Sequence, residues 1–309
     1  MSGTIRHFLR DDDLTAAEQA EVLDLSVALK AAPQDSKPLA GPRTVAIIFD
    51  KPTLRTQASF VAGIAELGGH PMVVDGNLAQ IGTRESIADV ARVLGRQASL
   101  IVWRTHDQSR IEEMAAYAGV PVVNALTDQF HPCQTLADLL TIREHKGATA
   151  GLTMTFLGDA ACNMGHSYLL SGALAGMHVR VSGPDGFQPD TTILARAQEL
   201  AAGTGGSAQI IEDPRQAAEG ADVLITDTWV SMGKEAESAD RAQVFQPWQL
   251  NEDLLALGND AIVLHCLPAY RGKEISAGVL DGPQSVVWDE AENRRHVQKA
   301  VMSFLLEQS

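Results

Sequence analysis

The chain has 309 residues, 45% of them apolar and 5% aromatic, with a formal net charge of −15 and a pI near 4.9. That length suits two domains of ordinary size. Such acidity argues against nucleic acid and anionic lipid as partners, and an anionic ligand would have to be met by basic residues gathered locally.

Residues 1–13 contain no apolar core of signal-peptide length. No run approaches the ~20 apolar residues of a membrane span. Cys133, Cys162 and Cys266 are too few and too scattered for a disulfide framework. A cytoplasmic protein with reduced thiols is expected.

After Asp11-Asp12-Asp13 a helix is expected, with the acids forming a solvated cap that suits the helix dipole. Residues 44–49 (TVAIIF) form the first strand signal, a β-branched apolar run. Residues 54–67 follow as a helix ending at Gly68-Gly69. Further strands are expected over 71–75, 99–104 and 121–125, then 152–157, 178–182, 209–211, 222–226 and 261–264. A last short strand over 286–288 and a helix over 290–306 end the pattern. Several strands are unbroken Val/Ile/Leu runs, as in sheets covered on both faces. Their alternation with helices predicts an α/β protein of two domains, each a mostly parallel sheet flanked by helices. Residues 147–151 (GATAG) break the pattern. They set the expected domains at 1–147 and 148–290, with 291–309 packing back on the first.

In open α/β sheets, ligands bind beyond the carboxyl ends of the strands. The first strand leads into Pro52, Thr53, Arg55 and Thr56, a helix start rich in phosphate donors. The third leads into Arg104-Thr105-His106, and the fourth into His131-Pro132-Cys133-Gln134. In the second half the strand ends lead into Gly158-Asp159 and Asn163, Asp227 to Gly233, and His265-Cys266-Leu267-Pro268. Gly158 to Gly165 (GDAACNMG) is not the G-x-G-x-x-G turn of a dinucleotide site. His131, Cys133, His265 and Cys266 are zinc ligands by type. Residues 265 and 266 would point to opposite faces of a continuing strand, so no metal site is expected.

Taken together, Thr53-Leu54-Arg55-Thr56, His131-Pro132-Cys133-Gln134, Asp227 with Ser231-Met232-Gly233, and His265-Cys266-Leu267-Pro268 resemble the transcarbamoylases. The last two motifs are those of the ornithine branch. The likeness runs from Ile5-Arg6-His7-Phe8-Leu9 to Glu292-Asn293-Arg294. It implies two α/β domains with an active site in the cleft between them, a homotrimer with shared active sites, and no cofactor. The implied reaction carries the carbamoyl group of carbamoyl phosphate to the δ-amine of L-ornithine. By the same resemblance, Thr53, Leu54, Arg55 and Thr56 would bind the phosphate, joined by Arg104 and Arg294. His131 and Gln134 would hold the carbamoyl group, and Cys266 and Leu267 would lie beside it and the attacking amine. Arg104, His131 and Cys266 are the implied catalytic set, with Cys266 not a nucleophile. Gln80 would reach a neighbouring subunit's site. Asn163, Asp227, Ser231 and Met232 would hold the amino-acid end of ornithine.

Three positions depart from the family pattern: Thr53-Leu54 replaces a Ser-Thr pair, so that only the first hydroxyl survives, Gln57 replaces an arginine, and Cys162 an asparagine. Gln57 leaves room for a binding protein that has lost catalysis. N-acetylornithine and putrescine stay open as acceptors, although Asp227 and Ser231-Met232-Gly233 favour a free α-amino acid.

Overall fold

A computed structural model describes residues 5–230 and 238–308, so Ser231, Met232 and Gly233 lie outside the described residues. The chain divides into two compact units, residues 1–137 with 292–309, and residues 138–291.

The first unit begins with a 3-10 turn, Asp11–Asp13, and then α1 (Ala16–Ala31). It continues with β1 (Thr44–Phe49), α2 (Arg55–Glu66), β2 (His70–Asp75), α3 (Gly76–Ala79) and α4 (Ile87–Leu94). Next come β3 (Leu100–Arg104), α5 (Gln108–Ala118), β4 (Val122–Leu126) and α6 (Pro132–Lys146), whose last residues belong to the second unit. The four strands are parallel in the order β2-β1-β3-β4. Alternate residues Ala46 and Ile48 of β1, with Ile101 and Trp103 of β3, pack against Ile87, Ala91, Ile111 and Met114 from α4 and α5. Val45, Ile47 and Val102 point the other way and are equally buried, so both faces of the sheet are covered.

The second unit contains β5 (Thr153–Leu157), α7 (Asn163–Leu174), β6 (His178–Ser182), α8 (Thr191–Thr204), β7 (Ser207–Ile210) and α9 (Pro214–Ala218). After β8 (Val223–Thr226) come α10 (Ser238–Phe245), α11 (Glu252–Leu255), β9 (Ile262–His265), α12 (Ala277–Leu280) and α13 (Val287–Glu307). Its strands are parallel in the order β7-β6-β5-β8-β9. Leu157, Leu224 and Val263 pack on Ala217, Leu254, Val279 and Leu280 from α9, α11 and α12. Close approach fixes α7 on the sheet: a Cβ at Gly172 would sit 2.5 Å from Val179 Cγ2 and 2.7 Å from Met154 Cε.

Residue 292 onward belongs to the first unit, and a buried ammonium ties it in. Lys299 Nζ donates to Leu29 O at 3.0 Å and to Glu66 Oε2 at 2.6 Å, joining α13 to α1 and α2.

Each of the nine expected strands up to 261–264 forms, its ends displaced by at most two residues. The strand expected over 286–288 does not: Val287 opens α13, and only Ser285 makes an isolated bridge to Val263. A three-residue apolar run carries no period that separates strand from helix. The acidic cap also differs from expectation. Asp11 is buried and accepts a hydrogen bond from Thr135 Oγ1 at 2.6 Å. Asp13 Oδ2 accepts from the N–H groups of Leu9 (2.6 Å) and Arg10 (3.0 Å). The cap of α1 is instead Thr15, in a capping box with Glu18.

Ile101→Ala should cost about 2–5 kcal/mol, the price of a fully buried aliphatic side chain at the centre of the first sheet. A shift in the chemical-denaturation midpoint measures it.

Candidate active site

In the first unit the chain leaves β1 toward β2 on one side, while β3 pairs on the other and leads on to β4. This reversal is the topological switch point at which open α/β sheets bind ligands. The β1–α2 corner lies there. Leu54, at the N-cap of α2, is 80% exposed and offers no side-chain cap to the N–H groups of the first turn.

Arg104 ends β3 on the other side of the switch point. The pairing of β3 with β4 shifts between Trp103 and Arg104, a bulge of the kind that re-aims a side chain. The guanidinium of Arg104 is buried, and its Nη1 donates to Thr56 Oγ1 at 3.3 Å. From α13, Arg294 Nη2 donates to the same hydroxyl at 2.8 Å and Nη1 to Gln134 Oε1 at 2.8 Å. Both lone pairs of the Thr56 hydroxyl are then in use, which leaves its O–H to donate. His131 sits at the entry to α6, where its carbonyl accepts from Gln134 N–H at 2.9 Å. Its pKa lies well below the usual imidazole value because of burial, then Arg294, Arg104 and Arg55. The ring is neutral at pH 7 and able to donate from one nitrogen.

The structure therefore brings together Arg55, Thr56, Arg104, His131, Gln134 and Arg294. Thr53 is half-buried in the same corner, and Gln57 is exposed on α2. Gln80 is exposed in the left-handed region (φ 49°) at the end of α3, outside the hydrogen bonds just described. A supporting set lies behind the corner. Thr105 Oγ1 donates to Asp50 Oδ2 at 2.6 Å, and Arg110 donates to Thr105 Oγ1 at 3.0 Å and to Ile81 O at 2.8 Å.

The second unit repeats the logic with another strand order. Its switch point lies between β5 and β8. Asn163 is the first residue of α7, directly after β5 and its turn. Asp227 follows β8, and its Oδ1 accepts from Thr228 N–H at 2.7 Å and from the Cys266 thiol at 3.1 Å. Burial raises the Asp227 pKa. Burial and the Asp227 carboxylate push the Cys266 thiol well above its ordinary value, so it stays protonated and donates. That environment is opposite to the one that activates a nucleophilic cysteine.

The geometry at His265-Cys266 corrects one expectation. The donor atoms of Asp227, His265 and Cys266 lie within 4.8 Å of one another. They do not diverge, because β9 ends at His265 and the chain turns, with Leu267 at φ 56° and a cis Leu267–Pro268 bond. These three residues are nevertheless poor metal ligands as arranged. His265 Nδ1 accepts from Leu267 N–H at 2.9 Å, and its Nε2 faces Glu274 Oε1 at 3.3 Å. Both ring nitrogens are committed, and the thiol would have to lose a proton that its surroundings hold. His131 and Cys133 belong to the first unit, and burial pushes the Cys133 thiol up to about 12.

Two supports of this second cluster carry no sequence signal. Glu274, fully buried, is paired to His265 across nine residues of irregular chain. Arg241 of α10 is paired to Asp159 at 2.7 Å across 82 residues. Only the acidic type of Asp159 after a strand end pointed there.

Among the described residues no helix is long and apolar enough to cross a membrane. Two family models match the chain. "Aspartate/ornithine carbamoyltransferase, carbamoyl-P binding domain" covers residues 6–144, and "Aspartate/ornithine carbamoyltransferase, Asp/Orn binding domain" covers residues 150–305. The chain is similar to the ornithine carbamoyltransferase of Clavibacter sepedonicus, 60% identical over 305 residues that span 98% of this chain and 99% of the relative. That of Renibacterium salmoninarum is 59% identical over 309 residues, 98% and 99% of the two chains. Among solved structures, ornithine carbamoyltransferase from Pyrococcus furiosus superposes with a TM-score of 0.92 at 41% identity, covering 98% of this chain and 97% of that one. The enzyme from Gloeobacter violaceus gives 0.88 at 44% identity, covering 99% and 100%.

Alkylation of Cys266 by iodoacetamide at pH 8 should run at least about tenfold slower than that of a free thiol. Mass spectrometry of peptides after timed quenching gives the rate, and labelling as fast as a free thiol would contradict the raised pKa.

Proposed function

Because the chain belongs to the aspartate/ornithine carbamoyltransferase family, we propose that it transfers the carbamoyl group of carbamoyl phosphate to the δ-amine of L-ornithine, yielding L-citrulline and phosphate. One observation carries the reading: two buried arginines, Arg104 and Arg294, converge on the Thr56 hydroxyl beside a neutral His131. Carbamoyl phosphate is the substrate whose charges such a corner would neutralise.

Carbamoyl phosphate is assigned to residues 1–147, with the helix from 291 to 309 serving that domain, and ornithine to residues 148–290. Thr53, Leu54, Arg55 and Thr56 take the phosphate on the first turn of α2, through backbone N–H groups, the hydroxyls and Arg55. Arg294 adds a guanidinium fork, and Arg104 bridges phosphate and carbonyl oxygen. His131, as a neutral donor, and Gln134 hold the carbamoyl group. Asn163, Asp227, Ser231 and Met232 hold the amino-acid end, with Asp227 meeting the α-ammonium. Cys266 and the backbone of Leu267 line the path of the attacking amine.

The δ-amine attacks only when deprotonated, and its solution pKa resembles that of lysine, about 10. A corner already holding several arginines disfavours the ammonium form. The nitrogen then attacks the carbonyl carbon, and the carbonyl electrons move onto oxygen. Arg104, His131 and Thr56 stabilise that developing charge as preorganised donors. The tetrahedral species collapses, the bond from carbon to phosphate oxygen breaks, and the leaving phosphate takes the amine proton. No covalent intermediate with Cys266 is needed. Holding both substrates in register supplies much of the remaining acceleration. A cytoplasmic homotrimer, with Gln80 reaching a neighbouring subunit's site, belongs to the same proposal and is open to measurement by sedimentation.

Purified protein given carbamoyl phosphate with ornithine, N-acetylornithine, putrescine or aspartate should carbamoylate ornithine alone. Product formed only from another amine would overturn the assignment, and no product from any would favour a binding protein. N-acetylornithine is included because acetylornithine transcarbamylase is also a structural neighbour, at 32% identity. Arg55→Ala should weaken carbamoyl phosphate by about 1.5–3 kcal/mol, the range of a charge-assisted hydrogen bond. Asp227→Asn should weaken mainly ornithine. Calorimetric titration of each ligand separates the two, and the reverse pattern would exchange the domain roles.

A further inference from the structure

We propose that Arg241 is a positioning residue for the amino-acid half of the site, holding the turn after β5 and the turn after β8 at a fixed spacing. The inference rests on the ornithine reading given above.

Arg241 lies on α10 and is 7% exposed. Its Nη1 donates to Asp159 Oδ2 at 2.7 Å and to the carbonyl oxygen of Trp229 at 3.0 Å. The guanidinium carbon lies 5.0 Å from the ring centre of Phe187 and 6.0 Å from that of Phe245. Phe245 in turn stacks on Trp229, with ring centres 5.9 Å apart. Removing a guanidinium from water is costly, and here a carboxylate, a carbonyl and two aromatic faces offset that cost. Both acceptors are met by the one nitrogen while the planar guanidinium lies near the Phe187 ring, a flat face that a lysine ammonium lacks.

What the guanidinium joins gives it a role beyond stability. Asp159 starts the turn that leads into α7: its Oδ1 accepts from Ala161 N–H at 3.2 Å, and its carbonyl accepts from Cys162 N–H at 3.1 Å. Asn163 is the next residue. Trp229 lies two residues beyond Asp227, in a turn where Thr228 Oγ1 also bonds Val230 O at 3.2 Å. β5 and β8 are neighbours in the sheet, and their ends make the switch point. A single side chain therefore ties the turn that delivers Asn163 to the turn that delivers Asp227. Gly158, at the start of the first of these turns, adopts φ 134°, a backbone conformation that favours glycine. Arg241 touches neither Asn163 nor Asp227 in these contacts, so its influence on a ligand would run through the two turns.

Steady-state kinetics of the full-length protein, with ornithine and carbamoyl phosphate each varied, test the role in Arg241→Lys, Asp159→Asn, the double variant and Asp227→Asn. Arg241→Lys should raise the KM for ornithine at least about tenfold, while kcat and the KM for carbamoyl phosphate stay within about threefold. The double variant should be no worse than Arg241→Lys by more than about twofold, as for partners in one interaction. An unchanged ornithine KM in folded Arg241→Lys, or independent effects that multiply, would overturn the inference. Should Arg241→Lys fail to fold, Asp159→Asn decides: a raised ornithine KM supports the role and an unchanged one ends it. Asp227→Asn separates this failure from that of the underlying reading. If it raises the ornithine KM and Arg241→Lys does not, only the positioning role falls; if neither does, the ornithine site falls too.

Discussion

Arg55, Arg104 and Arg294 all press on the same buried imidazole, and all three push it toward its neutral form. Gathering like charges out of water is unfavourable unless something negative arrives or neutral acceptors spread the cost. Thr56 and Gln134 are two such acceptors, for Arg104 and Arg294. Two strand ends, a helix start and the returning α13 must all meet for this to happen. The order β2-β1-β3-β4, the bulge at Arg104 and the buried Lys299 each serve that meeting. In a chain with net charge −15, this corner is a local excess of positive charge.

The second unit uses the opposite electrostatics. Its switch point gathers Asp227, a protonated thiol and a histidine whose two nitrogens are both engaged. Burial raises the pKa of Asp227, and a nearby positive charge would offset that cost by favouring the carboxylate. Two sheets of different strand order thus reach complementary chemistry by one topological rule.

Much of this was legible in the sequence because parallel sheets write themselves plainly. Runs such as TVAIIF and LIVWR are buried on both faces, so they read as unbroken apolar stretches with polar residues just past their ends. Arg104, His131, Asp227 and Cys266 each gave a weak signal, made stronger by their shared place just past strand ends. What stayed hidden depends on partners far away in the chain. Nothing local marks Asp11 as the acceptor for Thr135, Glu274 as the partner of His265, or Arg241 as the partner of Asp159. The His265-Cys266 geometry was missed for a related reason. Period-2 reasoning assumes that the strand goes on, and it ends at His265. Val287 was misread because three apolar residues fit either period.

The first unit is not contiguous: residues 292–309 join residues 1–137. Ribosomes make the chain from the N-terminus, and domains generally fold as they emerge. Here the second unit is fully synthesised before the first has its last helix. Arg294 is made only after the whole second unit, so the nascent first unit until then carries Thr56 and Gln134 without the guanidinium that joins them. A chain broken off before Arg294 would therefore lack the guanidinium that joins Thr56 to Gln134.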